Sequence, residues 1–221
     1  MNLINNVLNF FYPNVCGICN KINDTPICYN CMNRISKDII DNRKVYIETK
    51  DRYFDEHMYL FRYTDKIREL MIQYKFNEKS YLYKTFSHII LNDTKVINYI
   101  KKYDSVICVP IHKKRNKYRG YNQSELIIKD VCRLNRSILF EDNILIKIKN
   151  VKPQSSLNKQ DRIYNIKNVY KINYIKQENV KNKKILIFDD IFTTGSTVNE
   201  CARILKKYGA KEIGILTIAR D

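Results

Sequence analysis

Apolar positions recur along this chain with two different periods, and the order in which the periods alternate predicts the fold. Lys44–Tyr63 alternates in places (Val45, Ile47, Tyr53, Met58, Leu60), which predicts short strands joined by turns. Thr64 is placed to cap a helix with Ile67, Leu70, Met71 and Tyr74 at i, i+3, i+4 and i+7, and a second helix is expected from about Ser80 to Lys101. Ser105–Pro110 reads as an apolar strand. A basic loop to Gly120 follows, then a helix over about Gln123–Asn135, a strand near Ile144–Ile148 and a polar loop from Asn150. Strands are expected at Val169–Tyr174, Lys184–Phe188 and Ile213–Ile218, with a helix over Ser196–Tyr208 that Lys206, Lys207 and Gly209 bring to a stop. Strands alternating with helices predict an α/β fold, a parallel sheet with right-handed crossovers.

The 221 residues suit one such domain, residues 44–221, preceded by a small module, residues 1–43, with an N-terminal helix and four cysteines. Met1–Pro13 carries no positive charge and is interrupted by asparagines, and no apolar run approaches the roughly 18 residues a membrane helix needs. Neither a signal peptide nor a membrane span is expected, which places the protein in the cytosol.

Within the module, Cys16-Gly-Ile-Cys19 and Cys28-Tyr-Asn-Cys31 are separated by eight residues. Two such knuckles let each thiolate pair grip one ion from a tight turn, and four thiolates complete the tetrahedral shell that zinc prefers, in a zinc-ribbon-like or treble-clef-like loop. Rubredoxin-like iron is the next reading. Disulfides or a redox pair suit a reducing compartment and a duplicated motif less well. With four protein ligands the site is closed, hence structural, and because the ligands are close in sequence it is expected to be local. Cys108, Cys132 and Cys201 fall on apolar patterns and read as small buried hydrophobes.

Composition adds a charge of +17, unevenly spread: residues 101–120 and 143–184 together hold +15 of it. Clustering of this kind points to a polyanionic partner, either a phosphorylated small molecule or a nucleic-acid backbone, although a Lys-, Asn- and Ile-rich composition also inflates the total.

The chemistry concentrates in Lys184-Ile-Leu-Ile-Phe-Asp189-Asp190-Ile-Phe-Thr193-Thr194-Gly195-Ser196-Thr197. An apolar strand delivers two carboxylates at its C-terminal end, where open α/β sheets bind ligands. A turn of Thr193, Thr194, Gly195, Ser196 and Thr197 then opens into a helix with Val198, Cys201, Ala202 and Leu205 on one face. Backbone N–H groups and hydroxyls at that helix start make a cradle for one phosphate. Carboxylates repel bare phosphate, so beside a cradle they suit a sugar diol, a metal ion or both, and a ribose 5-phosphate unit satisfies both halves. A triphosphate-binding Walker A loop needs a Lys after the Gly, and none follows Gly195.

These residues resemble the PRPP (phosphoribosyl pyrophosphate) motif of type I phosphoribosyltransferases. The remainder of the chain is similar to the ComF/GntX branch of competence-associated phosphoribosyltransferase-like proteins. The likeness is carried by the four-cysteine knuckle, Arg62-Tyr63, Leu70, Lys75-Phe76, Val109-Pro110-Ile111-His112, Arg115, Arg119-Gly120-Tyr121-Asn122-Gln123, Pro153-Gln154-Ser155, Arg162, Asn165 and Leu216–Arg220. It implies that Asp189 and Asp190 hold the ribose hydroxyls of PRPP and that Thr193–Thr197 hold the 5-phosphate. It further implies a pyrophosphate loop at Pro110, Ile111, His112 and Lys113, and a mobile hood loop from Lys113 through Arg115, Arg119 and Gly120 to Asn122 and Gln123, with Mg2+ accompanying the diphosphate.

Two functions of different class follow. One is a PRPP- and Mg2+-dependent phosphoribosyltransferase with Asp189 and Asp190 as catalytic residues and an unidentified acceptor. The other is a non-catalytic competence protein acting in DNA uptake for natural transformation, whose basic segments contact single-stranded DNA or DNA-uptake proteins. The acid pair favours a ligand-binding cleft; a DNA groove requires both basic segments to face that cleft.

Overall fold

A computed structural model describes residues 15–40, 44–46, 52–76, 79–151 and 166–221. The expected N-terminal helix, Ile47, Pro153–Ser155, Arg162 and Asn165 lie outside them. In chain order the elements are α1 (Tyr29–Ser36), β1 (Lys44–Tyr46), β2 (Glu56–Arg62), α2 (Asp65–Phe76), α3 (Leu82–Leu91), α4 (Thr94–Ile100) and β3 (Ser105–Cys108). There follow α5 (Lys113–Arg119), α6 (Gln123–Leu134), β4 (Leu145–Lys147), β5 (Tyr170–Ile172), β6 (Lys184–Phe192), α7 (Ser196–Lys207) and β7 (Glu212–Arg220). The main sheet runs β1-β2-β7-β6-β3, all parallel except the antiparallel edge strand β1.

Both faces of this sheet are covered, and the two-residue repeat of a strand sends alternate side chains to each. On β6 and β7, Leu186, Phe188, Leu216 and Ile218 join one hydrophobic cluster with α2, α3, α4 and α6. Ile185, Ile187, Ile213 and Ile215 join another with Val198, Cys201, Ala202 and Leu205 of α7, the expected face of that helix. The α2 face is also as expected: Ile67, Leu70, Met71 and Tyr74 are all buried.

Several expectations change. The helix expected over 80–101 is two, because Asp93 leaves helical geometry and its carboxylate accepts the Val96 N–H at 3.1 Å, capping α4. The segment expected as a basic loop to Gly120 contains a helix, α5. His112 caps its start and Gly120, left-handed at φ 81°, ends it. No α5 residue is buried, so no apolar period marks it in the sequence. Strands β4 and β5 pair with each other, antiparallel, as a separate ribbon. Finally, β6 runs on to Phe192 rather than ending at Phe188.

The four-cysteine segment packs into the same cluster as the helices. Cys16, Ile27, Cys31 and Ile35 are buried with Leu82, Phe86, Leu60 and Phe61. Thr85 Oγ1 donates to the Pro26 carbonyl at 2.9 Å, and Ile39 bridges to Phe61.

Candidate phosphosugar and four-cysteine sites

Strand β6 keeps β7 as a neighbour to its end, but its pairing with β3 stops at Phe188. The next two residues are Asp189 and Asp190, so the acids stand where one edge of a buried strand opens. Strand alternation turns Asp190 toward the α2 face, where Lys75 Nζ lies 2.7 Å from Asp190 Oδ2. The Ile191 N–H donates to Asp190 Oδ1 at 2.7 Å. On Asp189, Oδ1 accepts from Ser124 Oγ at 3.2 Å and from the Asp190 N–H at 2.9 Å. Burial, then the neighbouring Asp190 charge, pushes the Asp189 carboxyl up to about 7; the Asp190 N–H, Lys75 and Ser124 act against the rise.

Beyond β6 the turn makes the cradle. Gly195 adopts φ 74° and precedes the first turn of α7, and the Asn199 N–H donates back to the Gly195 carbonyl at 2.9 Å. Thr194 Oγ1 and Ser196 Oγ bond each other at 2.7 Å across a hollow of about 20 Å3 lined by Thr193–Val198 with Asp189, Ile191 and Phe192. A phosphate seated there exchanges that hydroxyl pair for its own hydrogen bonds. A Cβ added to Gly195 would collide with Arg52 Nη1 and the Phe192 ring.

The acid pair, Thr193 and Thr197 also line a cleft of about 460 Å3. Its opposite wall brings in Pro110, Ile111, Arg115, Arg119, Asn122 and Gln123, all expected from the sequence. The helical form of α5 sorts its cations. Arg115 and Arg119, four residues apart, share the cleft face, whereas Lys113, Lys114 and Lys117 are exposed elsewhere. His112 is buried, and its Nδ1 accepts the Lys114 N–H at 3.3 Å instead of facing the cleft. Gly120 is likewise a helix stop, outside the lining. Asn122 is tied down, its Nδ2 donating to the Val109 carbonyl at 2.9 Å. Of the other thiols Cys132 and Cys201 are buried as expected, while Cys108 is half-buried and lines a separate hollow with Glu125 and Phe140. Burial, then the nearby Asp189, holds the Cys108 thiol well above its usual range.

Several cleft residues escaped sequence reasoning as site residues: Arg68 and Lys75 from α2, Ser124 at the start of α6, and Lys147 and Tyr170 from the ribbon. Lys147 Nζ lies 5.4 Å from the Tyr170 ring centroid, and burial, then Arg115, lowers its pKa. Its only sequence signal is a lysine inside an apolar strand. Each basic segment sends only part of its charge to the cleft: Arg115 and Arg119 of the first and Lys147 of the second line it, but other lysines of both lie away from it. Lys101, Lys102, Lys183 and Lys184 stand at the N-terminal ends of β3 and β6, roughly 16 Å of strand from Asp189.

The sulfurs of Cys16, Cys19, Cys28 and Cys31 all lie within 4.8 Å of one another, and Cys19 Sγ is 3.8 Å from Cys28 Sγ. A tetrahedron with Zn–S arms of about 2.3 Å has edges of about 3.8 Å, so the set fits a tetrahedral metal. The second knuckle opens α1, and Arg34 on that helix donates to Cys31 Sγ at 3.2 Å. Burial opposes ionisation of Cys16, yet N–H donors from Cys19, Cys28 and Ile18 bring its thiol down to about 6.

The phosphoribosyl transferase domain family matches residues 113–221. Competence protein F of Haemophilus influenzae is 29% identical over 76% of this chain and 73% of its own length. Competence protein ComFC of Streptococcus pneumoniae is 28% identical over 74% and 68%, and DNA utilization protein YhgH of Shigella flexneri is 26% identical over 72% and 69%. A strand ending in paired acids, a hydroxyl-rich turn and a helix, within this sheet, define a phosphoribosyltransferase-type α/β protein. With these relatives, the chain is similar to ComF-type phosphoribosyltransferase-like proteins.

Proposed function

We propose that the cleft binds PRPP with Mg2+, or a ribose 5-phosphate nucleotide, and that the protein acts in DNA uptake for natural transformation in the cytoplasm. The observation that carries the first half is the Asp189–Asp190 pair adjoining the Thr193–Thr197 cradle at the open end of β6. In this reading Asp189 and Asp190 accept from the ribose hydroxyls, Thr193–Thr197 hold the 5-phosphate, and Arg115 and Arg119 with Pro110–Ile111 receive the diphosphate. The donors fit: the cations Arg68, Lys75, Arg115, Arg119 and Lys147 line the cleft against the acids Asp189, Asp190 and Asp221. Mg2+ accompanying the diphosphate supplies further charge neutralisation. Such a site suits pentosyl transfer, in which positive character grows at C1 as the anionic diphosphate leaves, and positioning with electrostatics does most of the work. Zinc on Cys16, Cys19, Cys28 and Cys31 supplies scaffolding, with residues 1–43 as its module and 44–221 as the catalytic-type domain. The DNA-uptake role draws on the names of the two competence relatives and of YhgH.

Replacing both acids, Asp189→Asn with Asp190→Asn, is expected to weaken ribose 5-phosphate binding about tenfold or more, because hydrogen bonds to charged groups disappear. Inorganic phosphate affinity should stay the same or rise slightly, since the cleft becomes more positive. Calorimetry with both ligands checks this, and equal sugar phosphate binding by wild type and variant counts against the site.

A second reading, single-stranded DNA on the outward face of α5, is favoured by Tyr118, 91% exposed beside exposed Lys114 and Lys117. Bases stack on exposed aromatics while lysines meet phosphates. Replacing Lys113, Lys114 and Lys117 with Gln should flatten the salt dependence of oligonucleotide binding by about 0.7 slope unit for each phosphate no longer neutralised. Anisotropy titrations across salt concentrations measure it, and binding indifferent to salt removes this reading.

A further inference from the structure

Lys75 stands in the last turn of α2, outside the stretch that matches the transferase domain family. Its neighbour Tyr74 is buried, with its hydroxyl donating to the Gln123 carbonyl at 2.7 Å, which fixes the end of α2 against the rim of the cleft. The Lys75–Asp190 pair is largely shielded, with side chains 21% and 17% exposed. A pair so placed keeps more of its Coulomb energy than a solvent-exposed one. Among the described residues, three of the four carboxylate oxygens of the acid pair already accept: Asp189 Oδ1 and both oxygens of Asp190.

We propose that Lys75 is a specificity-determining residue that makes the acid pair a receptor for a sugar diol and not a site for a free divalent cation. The inference rests on the ribose phosphate reading of the cleft. Two adjacent carboxylates without a counter-ion attract hard cations such as Mg2+ or Mn2+. Here an ammonium is already bonded to one of them, so an incoming cation must displace it or bear its repulsion. A neutral hydroxyl meets no such repulsion and can donate to the oxygen that remains. Any metal that enters therefore does so on the diphosphate of its ligand, and a sugar phosphate without a diphosphate binds without metal.

The test uses the protein with its cysteine site loaded: ribose 5-phosphate calorimetry in EDTA and in Mg2+, and Mn2+ titration of ligand-free protein by electron paramagnetic resonance. Wild type should bind ribose 5-phosphate equally with and without Mg2+. Lys75→Met should tighten Mn2+ binding about tenfold, the value of one charge-assisted hydrogen bond, while Lys75→Arg stays like wild type. Retained inorganic phosphate binding reports that the Met variant is folded. Equal Mn2+ affinity in wild type and folded Lys75→Met overturns the role of Lys75. So does tight Mn2+ binding by wild type that Asp190→Asn abolishes, a result needing no Lys75 variant. Absence of ribose 5-phosphate binding by wild type overturns the underlying reading of the cleft, and the inference with it.

Discussion

Cys31→Ser is expected to lower the melting temperature of the whole chain, in one transition, and not merely to loosen its first forty residues. Cys31 and Cys16 are buried in the cluster that holds Leu82 and Phe86 of α3, Met71 and Tyr74 of α2, and Leu60 and Phe61 of β2. Removing a thiolate from a tetrahedral site removes part of a binding energy on the order of 10–16 kcal/mol. Losing even about 4 kcal/mol lowers the midpoint of a chain this size by about 10 °C. The thiolate is also the acceptor of Arg34, whose guanidinium is left beside a weaker hydroxyl. Calorimetry paired with elemental analysis checks this: the metal content should drop from one ion per chain, and the single endotherm should move down intact. An early, separate transition with an unmoved main one would mean that the module is independent after all.

The contrast between a local and a welded cysteine site shows what was legible in the sequence. Cys-x-x-Cys spacing is local information, and so is the run from Lys184 to Thr197; both clusters and their order along the chain could be picked out because each is built within a few residues. That Ile27 and Ile35 face α3 is not local, since the burial depends on contacts with residues about fifty positions away. Lys75 belongs to the same category. Its helix was readable from Ile67, Leu70, Met71 and Tyr74, but its meeting with Asp190 requires β6 and α2 to be brought together by the sheet. The α5 helix was missed for a different reason: its residues bury nothing, so neither period appears, and only the flanking His112 and Gly120 mark its ends. Charge was the least reliable guide. The +15 in two segments is real, but the strands carry Lys101, Lys102, Lys183 and Lys184 to the end of the sheet away from the acids.

Gly195→Ala is expected to abolish phosphate binding at the cradle and to destabilise the fold, and Gly209→Ala separates the two causes. Both glycines have positive φ, 74° and 86°, where a Cβ costs roughly 1–2 kcal/mol of backbone strain. They differ in their surroundings. At Gly209 the nearest atom to an added Cβ is Lys181 Cγ at 3.6 Å, an ordinary contact, so strain is the whole penalty. At Gly195 the Cβ collides with Arg52 Nη1 and the Phe192 ring. Phe192 cannot yield cheaply, since it stacks on His57 at 4.2 Å between centroids and packs edge-on against Phe54 at 6.2 Å. The turn must move instead, adding about 1–3 kcal/mol of overpacking. Its movement carries the Thr194 and Ser196 hydroxyls and the first N–H groups of α7 off the positions that face a phosphate. Gly209→Ala should therefore lower the melting temperature by a few degrees and leave phosphate affinity alone. Gly195→Ala should lower it about twice as far and remove phosphate binding. Phosphate retained by Gly195→Ala would place the anion site elsewhere, with Arg115 and Arg119 across the cleft as the next residues to replace.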